Sequence, residues 1–144
     1  MKKQHIVLVA EDDPVFRRVI AFSLQASGFH CETASNGLEA MEILRRGDVD
    51  MLVTDHQMPL CSGIEMIDKI RQQPSFSKLP IVLCTAKGFE LNADELIRDY
   101  QLLAVIRKPF SPRQMIGIVS EHLLNANVVY APLGSNETSC VPLA

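Results

Sequence analysis

Residues 5–14 read HIVLVAEDDP, and the order of residue types in this stretch decides the fold class. The first six residues are nearly all apolar or β-branched, which is typical of a parallel strand buried on both faces. Asp13 and Pro14 then have the sequence of a helix N-cap followed by proline at the first helical position. Glu11 and Asp12 lie between the two elements, although a buried carboxylate is costly without a partner. The stretch predicts a strand–helix unit whose connecting turn carries negative charge for a chemical reason.

The same alternation of short β-rich runs and longer amphipathic runs continues along the chain. Predicted strands cover residues 5–10, 30–35, 50–55, 80–85 and 102–108. Predicted helices run from Pro14 to a stop at Gly28, then over 36–47, 63–73, about 90–100, and from Pro112 to about Asn125. In the first helix, one face carries Phe16, Val19, Ile20 and Leu24.

Five strands that alternate with five helices predict a doubly wound α/β domain. Its sheet would be parallel, with right-handed crossovers and helices on both faces. Ligands of such sheets bind outside the carboxyl ends of the strands, where the strand order reverses. The functional residues are therefore expected at the strand ends.

Length and composition favour one globular domain: the chain has 144 residues, of which 47% are hydrophobic. Its net charge of −3 gives no electrostatic reason to expect nucleic acid or an anionic membrane as a partner. The longest apolar runs have about five residues, far below the length of a membrane span. Four scattered cysteines without a C-x-x-C pair favour reduced thiols and a cytoplasmic location. We expect a domain over 1–125 and a C-terminal tail or linker start over 126–144.

Residues of several chemical types converge at the predicted carboxyl edge. They are Glu11 and Asp12 after the first strand, Asp55 at the end of the third, Thr85 at the end of the fourth and Lys108 at the end of the fifth. Clustered carboxylates repel unless a cation lies among them, and hard oxygen ligands suit Mg²⁺ or Mn²⁺. A lysine and a hydroxyl nearby could hold an oxyanion. These groups together point to phosphoryl transfer onto a nucleophilic carboxylate.

Four motifs, in this order on an alternating β/α chain, resemble the receiver domains of two-component response regulators. They are LVAEDDP (8–14), TDHQMP with the following SG (54–63), CTA (84–86) and KPF (108–110). The chain is similar to the single-domain chemotaxis and sporulation-relay types over residues about 4–125. The resemblance implies a flavodoxin-like three-layer (βα)5 sandwich with strand order 2-1-3-4-5.

The resemblance also implies a phosphorylation site and its metal ligands. Asp55 would accept a phosphoryl group from a phosphohistidine of a histidine kinase or phosphotransfer protein. Mg²⁺ would be bound directly by Asp12 and Asp55, through water by Glu11, and by the backbone carbonyl of Gln57. The chain would then be a signalling switch and not an enzyme, since it would catalyse only its own phosphorylation and dephosphorylation.

Two further implications concern signal output. Thr85 and Lys108 would bond the phosphoryl oxygens, with a cis peptide between Lys108 and Pro109. The family commonly carries an aromatic residue where Val105 stands, so the switch is expected to work through another group or through the helix backbones. A downstream protein would bind the face made by the fourth helix, fifth strand and fifth helix, including Val105 and Arg107, and a homodimer is left open.

Two alternative classes of protein compete with this interpretation. A flavin binder or a dehalogenase-type phosphatase uses a similar sheet, but EDDP replaces the Gly-rich phosphate loop of the former. Gln57 stands where the phosphatase class needs a second aspartate. A pseudo-receiver that binds partners without phosphorylation stays open because of Val105.

Overall fold

A computed structural model describes residues 4–86 and 92–124. Its strands are β1 (Ile6–Ala10), β2 (His30–Ala34), β3 (Met51–Asp55), β4 (Ile81–Thr85) and β5 (Ala104–Arg107). Its helices are α1 (Pro14–Ala26), α2 (Gly37–Leu44), α3 (Gly63–Arg71), α4 (Ala93–Tyr100) and α5 (Pro112–Leu123), with a 3-10 turn at Pro74–Phe76. The predicted alternation is confirmed. The predicted tail over 126–144 lies outside the described residues, as do the expected helix end at Asn125 and residues 90–91.

The strands form one parallel sheet in the order β2-β1-β3-β4-β5, as predicted. Successive strand residues face opposite sides, so the core has two layers. One layer contains Val7 and Val9 and packs against α1 and α5. The other contains Leu8 and packs against α2, α3 and α4. Every residue of β3 and β4 is buried because these strands lie inside the sheet with helices on both sides. In the described part of the chain, no helix is long and apolar enough to cross a membrane.

The predicted apolar face of α1 is wrong in one position. Ile20 and Leu24 are buried, and Phe16 packs against the same core layer, but Val19 is 42% exposed. Residues 16, 20 and 24 follow each other at intervals of four, whereas Val19 is rotated about 100° from Ile20 around the helix. Val19 therefore points to solvent with Val15, four residues earlier.

The fifth strand corrects two predictions. It begins at Ala104 and not at residue 102, because the Leu102 N–H still donates to the Ile97 carbonyl at the end of α4. Val105 was expected on the exposed output face but is 1% exposed, packed in the core layer beneath α2, α3 and α4. Arg107, two residues later, is exposed.

The starts of α1 and α3 bring the chain close to the carboxyl edge of the sheet. Asp13 caps α1 by accepting from the backbone N–H groups of Val15 (3.0 Å) and Phe16 (3.4 Å). Ser62 caps α3 in a reciprocal capping box. The first residue of α3, Gly63, lies so close to β3 that a Cβ would collide with the carbonyl oxygen of Asp55. Glycine is therefore required where the chain doubles back over the end of β3.

Candidate functional site

Three carboxylates meet at the carboxyl edge, where β1 and β3 end side by side. Glu11 and Asp12 directly follow β1, and Asp55 is the last residue of β3. One oxygen of each carboxylate lies within 4.8 Å of the others. Glu11 and Asp55 are buried, at 4% and 5% exposure, whereas Asp12 is exposed. The predicted convergence of these three acids is confirmed.

Lys108 places one ammonium group among these carboxylates. It lies directly after β5, and the Lys108–Pro109 peptide is cis, as the resemblance implied. Its Nζ donates to Glu11 Oε1 at 2.8 Å and lies 3.2 Å from Asp55 Oδ1. Within residues 4–86 and 92–124, Asp55 Oδ1 accepts no hydrogen bond, so its contact with Nζ is an ion pair. Lys108 thus links the end of β5 to the ends of β1 and β3.

Among the described residues, the three carboxylates outnumber the ammonium that they face. Burial raises the pKa of both Glu11 and Asp55, although Lys108 opposes this for each of them. Burial alone would lower the pKa of Lys108, but its hydrogen bond to Glu11 and the charge of Asp55 outweigh that cost and raise it. In their ionised forms, these three carboxylates and the ammonium of Lys108 carry a formal excess of two negative charges. Oxygen ligands with this excess fit a divalent cation such as Mg²⁺.

Thr85 supplies an unused hydroxyl next to Asp55. It ends β4, where Asp55 pairs with the preceding residue, Cys84. The side chain is 2% exposed, and Oγ1 has no hydrogen-bond partner in the described part of the chain. Leaving a buried hydroxyl unpaired costs about 1–3 kcal/mol. An oxyanion brought within hydrogen-bond distance of this hydroxyl would give the donor an acceptor.

Gln57, the fourth predicted metal ligand, lies two residues beyond β3 and its side chain is exposed. The ligand assigned to it is its backbone carbonyl, so the exposure of the side chain does not test that role. The role of Gln57 in metal binding stays a prediction.

Two residues of α1 contribute to the site in ways that the sequence did not indicate. Arg17 Nη1 donates to the backbone carbonyl of Glu11 at 2.7 Å and so fixes the turn after β1. The Phe16 ring, expected from the sequence to serve only in core or surface packing, has Lys108 Nζ 4.9 Å from its centroid. Phe110, in the KPF motif, meets Phe16 at 5.3 Å between ring centroids and 69° between ring planes.

The sequence profile of the response regulator receiver domain matches residues 7–120. The chain belongs to the response regulator receiver family. The match spans β1 to α5 and includes the four residues that form the charged cluster, namely Glu11, Asp12, Asp55 and Lys108.

Individual relatives agree with this assignment. The receiver is 29% identical over 135 residues to a probable transcriptional regulator, ycf29, of Pyropia yezoensis, covering 92% of this chain and 60% of that protein. It is 32% identical over 122 residues to an uncharacterized 14.6 kDa protein of Leptolyngbya boryana, covering 82% of this chain and 89% of that protein. The chain thus spans about 60% of the longer relative.

The solved structure of the chemotaxis response regulator CheY4 of Vibrio cholerae has the same fold. It superposes with a TM-score of 0.75 at 23% identity, covering 84% of the receiver and 100% of the CheY4 chain. The five-stranded order 2-1-3-4-5 is therefore a property that the receiver shares with a chemotaxis regulator.

Proposed function

We propose that this receiver accepts a phosphoryl group on Asp55 from a phosphohistidine of a histidine kinase or phosphotransfer protein, and that phosphorylation changes its contacts with a downstream protein. One observation carries the proposal. Asp55 is a buried carboxylate with two other carboxylates within 4.8 Å and an ammonium at 3.2 Å. A lone buried acid needs one counter-charge. Here the three carboxylates can bind a cation while the ammonium binds an oxyanion.

The transfer step forms one bond and breaks one. A carboxylate oxygen of Asp55 attacks the phosphorus in line, and the P–N bond to the donor's imidazole breaks as the new O–P bond forms. The imidazole leaves with the electron pair of that bond and takes a proton from solvent. The product is an acyl phosphate on Asp55, and its later hydrolysis returns the carboxylate. The receiver thus acts only on its own phosphoryl group.

Glu11, Asp12 and Asp55, with the backbone carbonyl of Gln57, would hold Mg²⁺ or Mn²⁺ at this site. A divalent cation there would neutralise charge on the phosphoryl oxygens in the transition state. The excess of two negative charges and the all-oxygen ligand set support this assignment. Asp12 is the exposed member and is suited to meet an incoming hydrated ion.

Lys108 and Thr85 would bind the phosphoryl oxygens after transfer. Lys108 Nζ already lies 3.2 Å from Asp55 Oδ1, and the Thr85 hydroxyl is buried without a partner in the described residues. Thr85 ends β4 and Lys108 directly follows β5, so their movement toward the phosphoryl group would shift these two strands. That shift is the proposed origin of the signal.

The proposed output face comprises α4, β5 and α5. Arg107 is its exposed contribution from β5, whereas Val105 is excluded because it is buried. The shift of β4 and β5 would be transmitted by core residues beneath this face. It would not depend on an aromatic side chain that swings inward. A cytoplasmic location fits Cys31 and Cys61, whose buried thiols are not joined in a disulfide.

Intact-mass measurement after incubation with acetyl phosphate tests the proposal. The wild type with Mg²⁺ is expected to gain one phosphoryl group, and prior addition of EDTA should prevent the gain. Asp55→Asn should gain none, because its amide cannot act as the nucleophile. Asp48→Asn is the matched control, since it removes an exposed carboxylate that precedes β3, at the opposite end of this strand from Asp55.

Two results would contradict the assignment. Normal labelling of Asp55→Asn would exclude Asp55 as the acceptor. Absence of labelling in folded wild type, with phosphoramidate as a second donor, would favour a module that binds partners without phosphorylation.

A further inference from the structure

The ammonium group of Lys108 has three neighbours of different kinds. Glu11 Oε1 accepts its hydrogen bond at 2.8 Å, Asp55 Oδ1 lies at 3.2 Å, and the Phe16 ring centroid lies at 4.9 Å. The first two are carboxylates of the candidate metal site. The third is a neutral aromatic ring contributed by α1.

The Phe16 ring attracts the ammonium without being able to bind a metal or a phosphoryl group. The face of an aromatic ring carries the negative part of its quadrupole, and cations within about 6 Å of the centroid are attracted to it. Because the side chain of Lys108 is only 24% exposed, water screens this attraction less than it would at an open surface.

The position of the Phe16 ring is fixed by its surroundings. Phe110 meets it in an edge-on arrangement at 69°, and both rings pack against the core layer that contains Val7 and Val9. The capping hydrogen bond from its own backbone N–H to Asp13 further anchors the start of α1. The ring is therefore a preorganised support and not a mobile surface group.

We infer that Phe16 is a positioning residue that holds the Lys108 ammonium beside Asp55 during phosphoryl transfer. The inference rests on the proposed function, because in that reaction both carboxylate neighbours change their partners. Glu11 would serve the metal, and Asp55 would become bonded to phosphorus. The ring is the one neighbour among these three that keeps its charge distribution throughout.

The variant Phe16→Leu tests this role because leucine fills apolar space but has no aromatic face. The rate of phosphoryl uptake at saturating acetyl phosphate is expected to fall about three- to tenfold. Phe16→Tyr keeps the ring and should restore most of the rate. Phe22→Leu is the matched control, since it makes the same change on the same helix at a side chain that is 70% exposed.

A second measurement examines the contact itself in metal-free protein. The ε-methylene protons of Lys108 lie near the ring face, so their NMR signals should be shifted upfield in the wild type. The shift should disappear in Phe16→Leu and persist in Phe16→Tyr and Phe22→Leu, with Lys108→Arg used for assignment. If Phe16 acts through this contact, the uptake rate should follow the shift across Phe16→Leu, Phe16→Tyr and Phe22→Leu, which a merely structural role does not require.

The outcomes separate the inference from the function on which it rests. If the wild type takes up the phosphoryl group and Phe16→Leu does so at the same rate, the inference alone is overturned. Equal slowing of Phe16→Leu and Phe16→Tyr, with the ring shift retained in Phe16→Tyr, would also overturn it, because packing would then explain the effect. Wild type that takes up no phosphoryl group would overturn the proposed function and this inference together.

Discussion

Replacing Arg71 should separate the contribution of hydrogen bonds from that of charge in holding the α4–β5 connection. Arg71 ends α3, and its guanidinium donates to four backbone carbonyls: Phe76 (2.6 Å), Leu79 (2.8 Å), Tyr100 (2.8 Å) and Gln101 (3.0 Å). No carboxylate takes part in these four contacts, so the side chain acts as a multiple donor rather than an ion-pair partner.

The expected loss follows from how many of these carbonyls water can reach. Each hydrogen bond from a charged donor contributes about 1.5–3 kcal/mol. Gln101 is exposed, and Phe76 and Tyr100 are half-buried, so water would satisfy part of their demand in a variant, whereas Leu79 is buried. Counting the Leu79 bond at the lower end and the two half-buried bonds at about half of that value gives a loss of about 3 kcal/mol for Arg71→Met, which keeps the apolar stem.

Urea unfolding followed by circular dichroism at fixed pH would measure this loss. Arg71→Met should lower the midpoint without changing the slope, because the surface buried on folding is nearly the same. Arg71→Lys keeps the charge but loses the planar fork, and should recover at most half of the loss. If Arg71→Lys were as stable as the wild type, charge alone would account for the effect and the reasoning from four carbonyls would be refuted.

Two further predictions concern the chain near the site and the sheet edge. Gly63→Ala should destabilise the receiver by about 2–4 kcal/mol in the same urea assay, because the new Cβ meets the rigid carbonyl of Asp55. Glu32 has a lowered pKa, chiefly through its hydrogen bond with His30 and also through Arg46. A carboxylate whose pKa is lowered in the folded state stabilises the fold at pH values above its unfolded pKa, and this contribution is lost as pH falls through its folded pKa. Glu32→Gln should therefore reduce the change in the free energy of unfolding between pH 5 and 3 by less than about 1 kcal/mol.

Each of these predictions has its own control. Loss of phosphoryl uptake in Gly63→Ala without loss of stability would mean that the collision is relieved locally and that the end of β3 has moved instead. For the pH experiment, Glu42→Gln removes a carboxylate whose distance to Arg45 is 4.0 Å on an exposed helix surface. If both variants flattened the profile equally, the His30 and Arg46 contacts would not explain it.

The convergence of the charged site was predictable from the sequence, because parallel strands end at one edge. That rule alone brings Glu11, Asp55 and Lys108 together across nearly the whole chain. To apply this rule, one needs only the positions of the strand ends. These are marked clearly by apolar runs that are followed by acids or proline. The order of strands came instead from the resemblance to a known family, since alternation alone does not fix which strand is central.

What escaped prediction depends on angles within elements. Val19 was placed on the wrong side because an apolar residue at the margin of a helix face can point to the core or to solvent. Val105 was placed on the wrong side because the sequence of a short strand does not fix which alternate residues face the core. The contact of Phe16 with Lys108 depends on how α1 is rotated over the sheet, and no spacing in the sequence sets that rotation.

The hydrogen bond from Lys108 to Glu11 joins residues 97 positions apart. A ribosome that has made β1 to β4 has produced all three carboxylates but not the ammonium that pairs with two of them. The acceptor is therefore incomplete on a nascent chain until β5 has emerged and docked at the end of the sheet. Completion of the charged site thus coincides with the last stage of synthesis of this domain, and a truncated chain lacks the group that balances Asp55.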